Sequence, residues 1–199
     1  MPKAITKLTQ KIEYHAPSTA LLFALSARYY RDVVKKEIDL ANIKADDNIL
    51  FIGGGFCPFS AILLHQATGC KITVIDSDEV CVPKAVEAVQ RLDLCNYIDI
   101  RHHDGACPQL DSLLDMSQFT IVHFALQITP LEKVFAEVNR KVSPGTKLLV
   151  RRPKGHLNKL YCKLSNTAFS ASEYISHRRA SNIGSTHLYV KPGPCAQAA

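Results

Sequence analysis

Three glycines closing an apolar run, Gly53-Gly54-Gly55, and two acids further along, Asp76 and Asp104, are the residues here best placed to do chemistry. Glycines let the chain turn tightly and let a ligand approach the backbone closely. A helix beginning near Pro58 would aim its free N–H groups at the same ligand. About twenty residues on, Val74-Ile75-Asp76-Ser77-Asp78 ends a second apolar run, where an acid can accept both hydroxyls of a ribose. His102-His103-Asp104-Gly105-Ala106 ends a third. There the Asp104 carboxylate can accept a hydrogen bond from an adenine amino group, while Gly105 and Ala106 leave room for the ring. The set describes a cradle for an adenosine-bearing ligand.

Such residues meet only if a framework brings the ends of three strands together, and the hydrophobic pattern supplies one. Thr19 to Lys36 carries Leu22, Leu25, Tyr29 and Val33 at steps of three and four, the stripe of a helix leaning on a sheet. Strands are expected at 49–52, 71–75, 97–101, 119–124 and 147–151, with helices between them at 59–67, 82–92 and 131–141. Thr68-Gly69 and Ser143-Pro144-Gly145 supply helix stops. This alternation implies a mostly parallel sheet with helices on both faces. The last third changes rhythm: a helix between Leu157 and Phe169, then strands at 174–178 and 187–191 joined by the turn-rich Ser181 to Ser185, form a terminal antiparallel pair. The division expected is a helical cap over 1–44, a ligand-binding domain over 45–192 and a flexible tail over 193–199.

Two familiar phosphate-binding designs do not fit. A dinucleotide turn, G-x-G-x-x-G, wants glycine where Pro58 stands, and no G-K-[ST] sequence ends the loop. The seven cysteines form no C-x-x-C pair, so neither a disulfide framework nor a zinc knuckle is implied and they read as reduced core residues. Cys57, inside the cradle, is the exception. No apolar run reaches the roughly 20 residues of a membrane span, and Met1 to Leu8 has no signal-peptide pattern. The chain is read as cytoplasmic, with no membrane partner and no metal. Its formal charge is +6. Arg151, Arg152, Lys154, Lys159, Lys163, Arg178 and Arg179 carry much of it late in the chain. Their spacing reads first as a solvated surface and second as a site for an anionic substrate or RNA.

Glycines, Asp76 and Asp104 at successive strand ends resemble the class I S-adenosylmethionine-dependent methyltransferases, over roughly Ala45 to Lys191. The resemblance implies a Rossmann-like seven-stranded sheet, mostly parallel with an antiparallel terminal strand. It implies S-adenosyl-L-methionine as cofactor, held by Gly53, Gly54, Gly55, Phe56, Asp76, Ser77, Asp104, Gly105 and Ala106, with Phe124 and Ala125 lining it. Cys57 replaces the usual third glycine. Gly53 to Ser60, together with Val142 to Arg151 and Gly155, is similar to the nicotianamine synthase branch of this fold, whose members transfer an aminocarboxypropyl group instead of a methyl group.

The resemblance therefore implies a transferase, first a methyltransferase acting on a small molecule and second a nicotianamine synthase-like enzyme. A non-catalytic cofactor- or RNA-binding protein is the reading of another class, with nucleic acid the less favoured partner. The fourth strand end, His123-Phe124-Ala125-Leu126-Gln127, lacks the Pro-Pro-aromatic and Pro-Cys signatures of base methylation. His123 and Gln127 are candidates there for a base and a substrate contact, and a satisfied core histidine is an equal reading of His123. In Glu13-Tyr14-His15, Tyr14 is the candidate to close over a sulfonium and His15 or Glu13 to take a proton. Tyr29-Tyr30 and His102-His103 read as packing and surface.

Overall fold

The apolar runs become strands wherever both faces of the sheet are covered. In the computed structural model, residues 20–157, 171–177 and 182–193 are described. Strand β1 (Asn48–Ile52) and strand β4 (Ile121–Phe124) are buried almost end to end, as expected of central parallel strands. Strands β2 (Lys71–Asp76), β3 (Ile98–His102) and β5 (Lys147–Pro153) complete the parallel set. Strands β6 (Glu173–Ser176) and β7 (Ile183–Val190) add an antiparallel pair, giving the order β3-β2-β1-β4-β5-β7-β6. The strand order reverses between β1 and β4, the kind of switch point where open α/β sheets leave a crevice beyond the carboxyl ends of their strands.

Helices cover both faces. On one lie α1 (Ala20–Ala41), α2 (Phe59–Thr68) and α3 (Cys81–Gln90), burying Val34 and Ala41, Ile62 and Leu64, and Ala88 and Val89 against Ile49, Phe51, Val74 and Leu149. On the other lie the short α4 (Leu110–Leu113) and α5 (Leu131–Lys141), whose Leu131, Val134, Phe135 and Val138 pack on Leu50, Ile52, Val122 and Val150. Gly69 stops α2 at φ 78° and donates its N–H to the His65 carbonyl. Among the described residues, no helix is long and apolar enough to cross a membrane.

Some boundaries differ from expectation for identifiable reasons. Helix α1 runs on to Ala41, and Ile38 and Ala41 join the core, extending the apolar stripe beyond Lys36. The turn expected over Ser181 to Ser185 is in part strand. Because β5 extends to Pro153, Ser185 finds partners in Arg152 and Ser176, and Ile183 pairs with Pro153. On α3, Cys81, Ala85, Ala88 and Val89 are buried, whereas Val86 is only half-buried. Cys57, Cys70 and Cys81 are buried, whereas Cys95 is exposed. The helix expected between Leu157 and Phe169 falls outside the described residues, apart from a 3-10 turn over Gly155–Leu157.

Candidate cofactor and acceptor site

Hydrogen bonds hold the strand ends level with one another. Gly53 N–H donates to the Ile75 carbonyl at 2.8 Å, His103 N–H to the Asp76 carbonyl at 3.0 Å, and Ala125 N–H to the Ile52 carbonyl at 3.0 Å. Gly53 and Gly55 then turn at φ 88° and 62°, a region that side-chain-bearing residues avoid. Between them, a Cβ on Gly54 would stand 2.5 Å from Val74 Cγ1, so the loop lies flat on β2. The Asp76 carboxylate accepts Gly55 N–H at 2.7 Å through one oxygen and Asp78 N–H at 3.0 Å through the other. That fixes its plane and leaves lone pairs for a ligand. Asp104 accepts the Ala106 N–H at 2.8 Å in the same manner.

A cavity of about 660 Å³ opens over these ends. Gly53, Gly54, Gly55, Phe56, Asp76, Ser77, Asp104, Gly105 and Ala125 all line it, so nine of the predicted cofactor residues converge. Two do not line it. Phe124 is fully buried with its ring 5.4 Å from Phe135, and Ala106 is buried in the same cluster. Alternation places Phe124 on the face opposite the cavity-lining Ala125. His123 is also fully buried, stacked on Phe51 at 4.3 Å and absent from the lining, so it sits in the core, but its ring nitrogens are not satisfied as expected. Glu13, Tyr14 and His15 lie outside the described residues.

Several lining residues had weak sequence signals or none. Both Tyr29 and Tyr30, read from the sequence as packing, line the cavity, their rings edge to face at 4.9 Å. The Tyr29 hydroxyl accepts the Asn182 N–H at 2.9 Å, tying α1 to the start of β7. His103 lines the cavity, while His102 turns its Nε2 to the Ser77 carbonyl. Pro58, Phe59 and Ser60 present the amino end of α2, which has no side-chain cap. Gln127 is present as expected.

The largest departure is Arg151, read from the sequence as surface charge and only 4% exposed in the fold. Its Nε and Nη2 donate to the two oxygens of Glu37 at 2.8 and 2.7 Å, and its Nη1 donates to Ser60 Oγ at 2.9 Å. Thr186 donates to Glu37 at 2.7 Å, and His177 Nε2 meets Thr186 at 2.9 Å. His123 Nε2 lies 3.1 Å from Glu37 Oε2 but off the line of a hydrogen bond, and its Nδ1 has no partner. Burial alone would raise the Glu37 carboxyl, yet the Arg151 guanidinium holds it well below the usual carboxylate range. Burial also lowers His123, against the pull of Glu37, so the imidazole is neutral at pH 7. Leu149 and Arg151 share one strand face, but Leu148, Val150 and Arg152 share the other in the same way, so no local signal singled Arg151 out.

No protein-family model matches the chain. An L-histidine 2-aminobutanoyltransferase from Pseudomonas aeruginosa is 27% identical over 124 residues, covering 61% of this chain and 44% of that protein. The matched stretch thus spans less than half of the curated relative's length. Among solved structures, a mutant of the nicotianamine synthase MtNAS with S-adenosylmethionine superposes at a TM-score of 0.80 with 20% identity, over 96% of this chain and 76% of that one. An RNA methyltransferase from Salinibacter ruber with S-adenosyl-L-homocysteine follows at 0.62 with 17% identity, over 81% and 91%. These likenesses show a Rossmann-like fold, and the sheet carries the antiparallel terminal strands that the sequence implied.

Proposed function

We propose that the chain is an S-adenosylmethionine-dependent transferase that passes the four-carbon aminocarboxypropyl group to the amine of a small molecule. The observation that carries this reading is the row of strand-end groups around one cavity: Asp104, Asp76 and the glycine turn, in the order that an adenine, a ribose and an amino-acid tail require. The residues fit such a ligand. Asp76 has its carboxylate oriented by two backbone N–H groups, and Gly54 lets the loop lie against Val74 of β2, where a Cβ would collide.

When bound, S-adenosylmethionine supplies a sulfonium carbon open to displacement by an amine. The chain's part is to bind and orient. Asp76 would accept the ribose hydroxyls and Asp104 the adenine amino group, while Tyr29, Tyr30 and Gln127 line the cavity for the acceptor. The superposition on MtNAS over 96% of the chain, α1 included, supports four-carbon over methyl transfer. So does the aminobutanoyl group in the curated relative's name. Methyl transfer is the second reading, favoured by the Salinibacter neighbour. Incubating the protein with S-adenosylmethionine and a metabolite extract, then identifying the nucleoside by mass spectrometry, separates them. Methylthioadenosine marks four-carbon transfer and S-adenosylhomocysteine marks methyl transfer. A protein that does not bind S-adenosylmethionine refutes both.

A further inference from the structure

A buried ion pair is an expensive way to join a helix to a sheet, since well-packed apolar residues of similar volume are often equally stabilising. The pair of Glu37 and Arg151 has a feature that a strut does not need. Arginine has five N–H donors. Glu37 takes those on Nε and one on Nη2, Ser60 takes one on Nη1, and one N–H remains on each of Nη1 and Nη2. Arg151 lines the cavity, beside Ser60 and the uncapped start of α2. Among the described lining residues it is also the one lysine or arginine, in a wall that otherwise carries Asp76, Asp78 and Asp104.

Register places this guanidinium relative to the ligand track. Ile52, Phe124 and Val150 are mutual partners across β1, β4 and β5. One residue further on, Gly53, Ala125 and Arg151 stand level, and alternation turns Arg151 to the face covered by α1 and α2. Read along the strand ends, the cavity offers Asp104, Asp76, the glycine turn and Ala125, then Arg151.

We propose that Arg151, with the Ser60 hydroxyl and the amino end of α2, forms a carboxylate subsite that takes the α-carboxylate of the sulfonium donor's amino-acid tail. This rests on the donor reading above. Glu37 is then a positioning residue: gripping one edge of the guanidinium through Nε and Nη2, it turns the Nη1 edge toward Ser60 and the cavity. The fork suits a carboxylate better than a lysine would, because its donors are planar and fixed in spacing.

Titration calorimetry on the full chain tests it with three ligands: S-adenosylmethionine, its decarboxylated form and methylthioadenosine. The wild type should bind the carboxylate-bearing donor at least about tenfold tighter than the decarboxylated one, ~1.4 kcal/mol. In Glu37→Gln/Arg151→Met, which removes both charges together, that ratio should fall to about one while methylthioadenosine binding stays unchanged. If the double variant cannot bind methylthioadenosine, Arg151→Lys carries the test and should lower the ratio severalfold. A ratio that survives in the variants, or a wild type that binds both donor forms equally, overturns the subsite and leaves the donor reading intact. A wild type that binds none of the three overturns both. Comparing L-histidine with histamine in the presence of methylthioadenosine covers the other source of a carboxylate, the acceptor. If Arg151→Lys shifts that ratio alone, the donor assignment is overturned.

Discussion

Removing Arg151 alone should be far more damaging than removing it together with its partner's charge. In Arg151→Met the Glu37 carboxylate, fully buried, keeps the Thr186 hydroxyl and a neutral His123 but loses two charge-assisted bonds. Breaking a buried pair in this way costs about 3–5 kcal/mol, out of a total stability of roughly 5–15 kcal/mol for a domain. At this chain length that lowers the melting temperature by roughly 6–20 °C. Glu37→Gln/Arg151→Met leaves no buried charge and should recover most of the loss, so the double-mutant cycle should show a coupling energy of about 3 kcal/mol or more, at or above the top of the usual range. Urea unfolding with linear extrapolation measures each term, provided the m-value holds constant. The single variant should also respond to pH in a characteristic way. In the wild type the depressed Glu37 pKa gives stability that is present above the unfolded carboxylate value and lost as pH falls through the folded one. Without Arg151, burial is largely unopposed and the folded pKa rises, so protonation relieves the variant and its deficit narrows toward acid pH. A single-variant cost below about 1 kcal/mol, or a double variant whose cost equals the sum of the singles, would refute the assignment of a coupled buried pair.

Asp76→Asn should weaken S-adenosylmethionine binding by about tenfold to a hundredfold, the worth of a hydrogen bond to a charged group. Calorimetry showing an unchanged Kd would remove Asp76 from the site. Gly54→Ala puts a methyl group 2.5 Å from Val74 Cγ1 and should lower both ligand affinity and melting temperature. Val74→Ala in the same chain should restore much of both, and failure of that rescue would show that the contact is not the cause. Because burial lowers His123, the wild type should lose stability as pH falls through about 6.5, where the unfolded imidazole binds a proton that the folded one resists. His123→Phe, which keeps a ring on Phe51, should make that slope shallower in denaturation series between pH 7 and 5. An unaltered slope would assign it to the other depressed imidazoles, those of His103, His177 and His187.

The half of the cavity assigned to an adenosine in the proposed function was legible because each of its parts is local. The chemistry of Gly53 to Gly55, of Asp76 and of Asp104 sits where an apolar run stops, and hydrogen bonds such as that from Ala106 N–H to Asp104 close over two residues. Strand alternation, used fully, would also have separated Ala125 from Phe124. The other half is assembled across the chain. Arg151 meets Glu37 over 114 positions and Ser60 over 91, and Thr186 reaches Glu37 over 149. Nothing near Arg151 in sequence distinguishes it from its half-buried neighbour Arg152, and only α1 laid across the sheet makes one of them core.

Under the proposed function, that difference bears on which group is transferred. The cradle made by β1, β2 and β3 is what any adenosine-bearing donor needs, and the replacement of the third glycine by Cys57 alters it little. Cys57 is 3% exposed, and its carbonyl accepts the Phe59 N–H at 2.8 Å to set the start of α2. Choice between two carbons on one sulfonium must instead come from what holds the amino-acid tail still and what holds the acceptor against it. Those walls are α1, the start of α2 and the ends of β4, β5 and β7: Tyr29 and Tyr30, Ser60, Gln127, Arg151 and Asn182. A tail anchored by its carboxylate on a rigid guanidinium would present its own carbon to an amine entering past the tyrosines, whereas a tail free to swing would favour neither. If Arg151→Lys left four-carbon transfer as selective over methyl transfer as in the wild type, the control would have to lie with the acceptor's contacts.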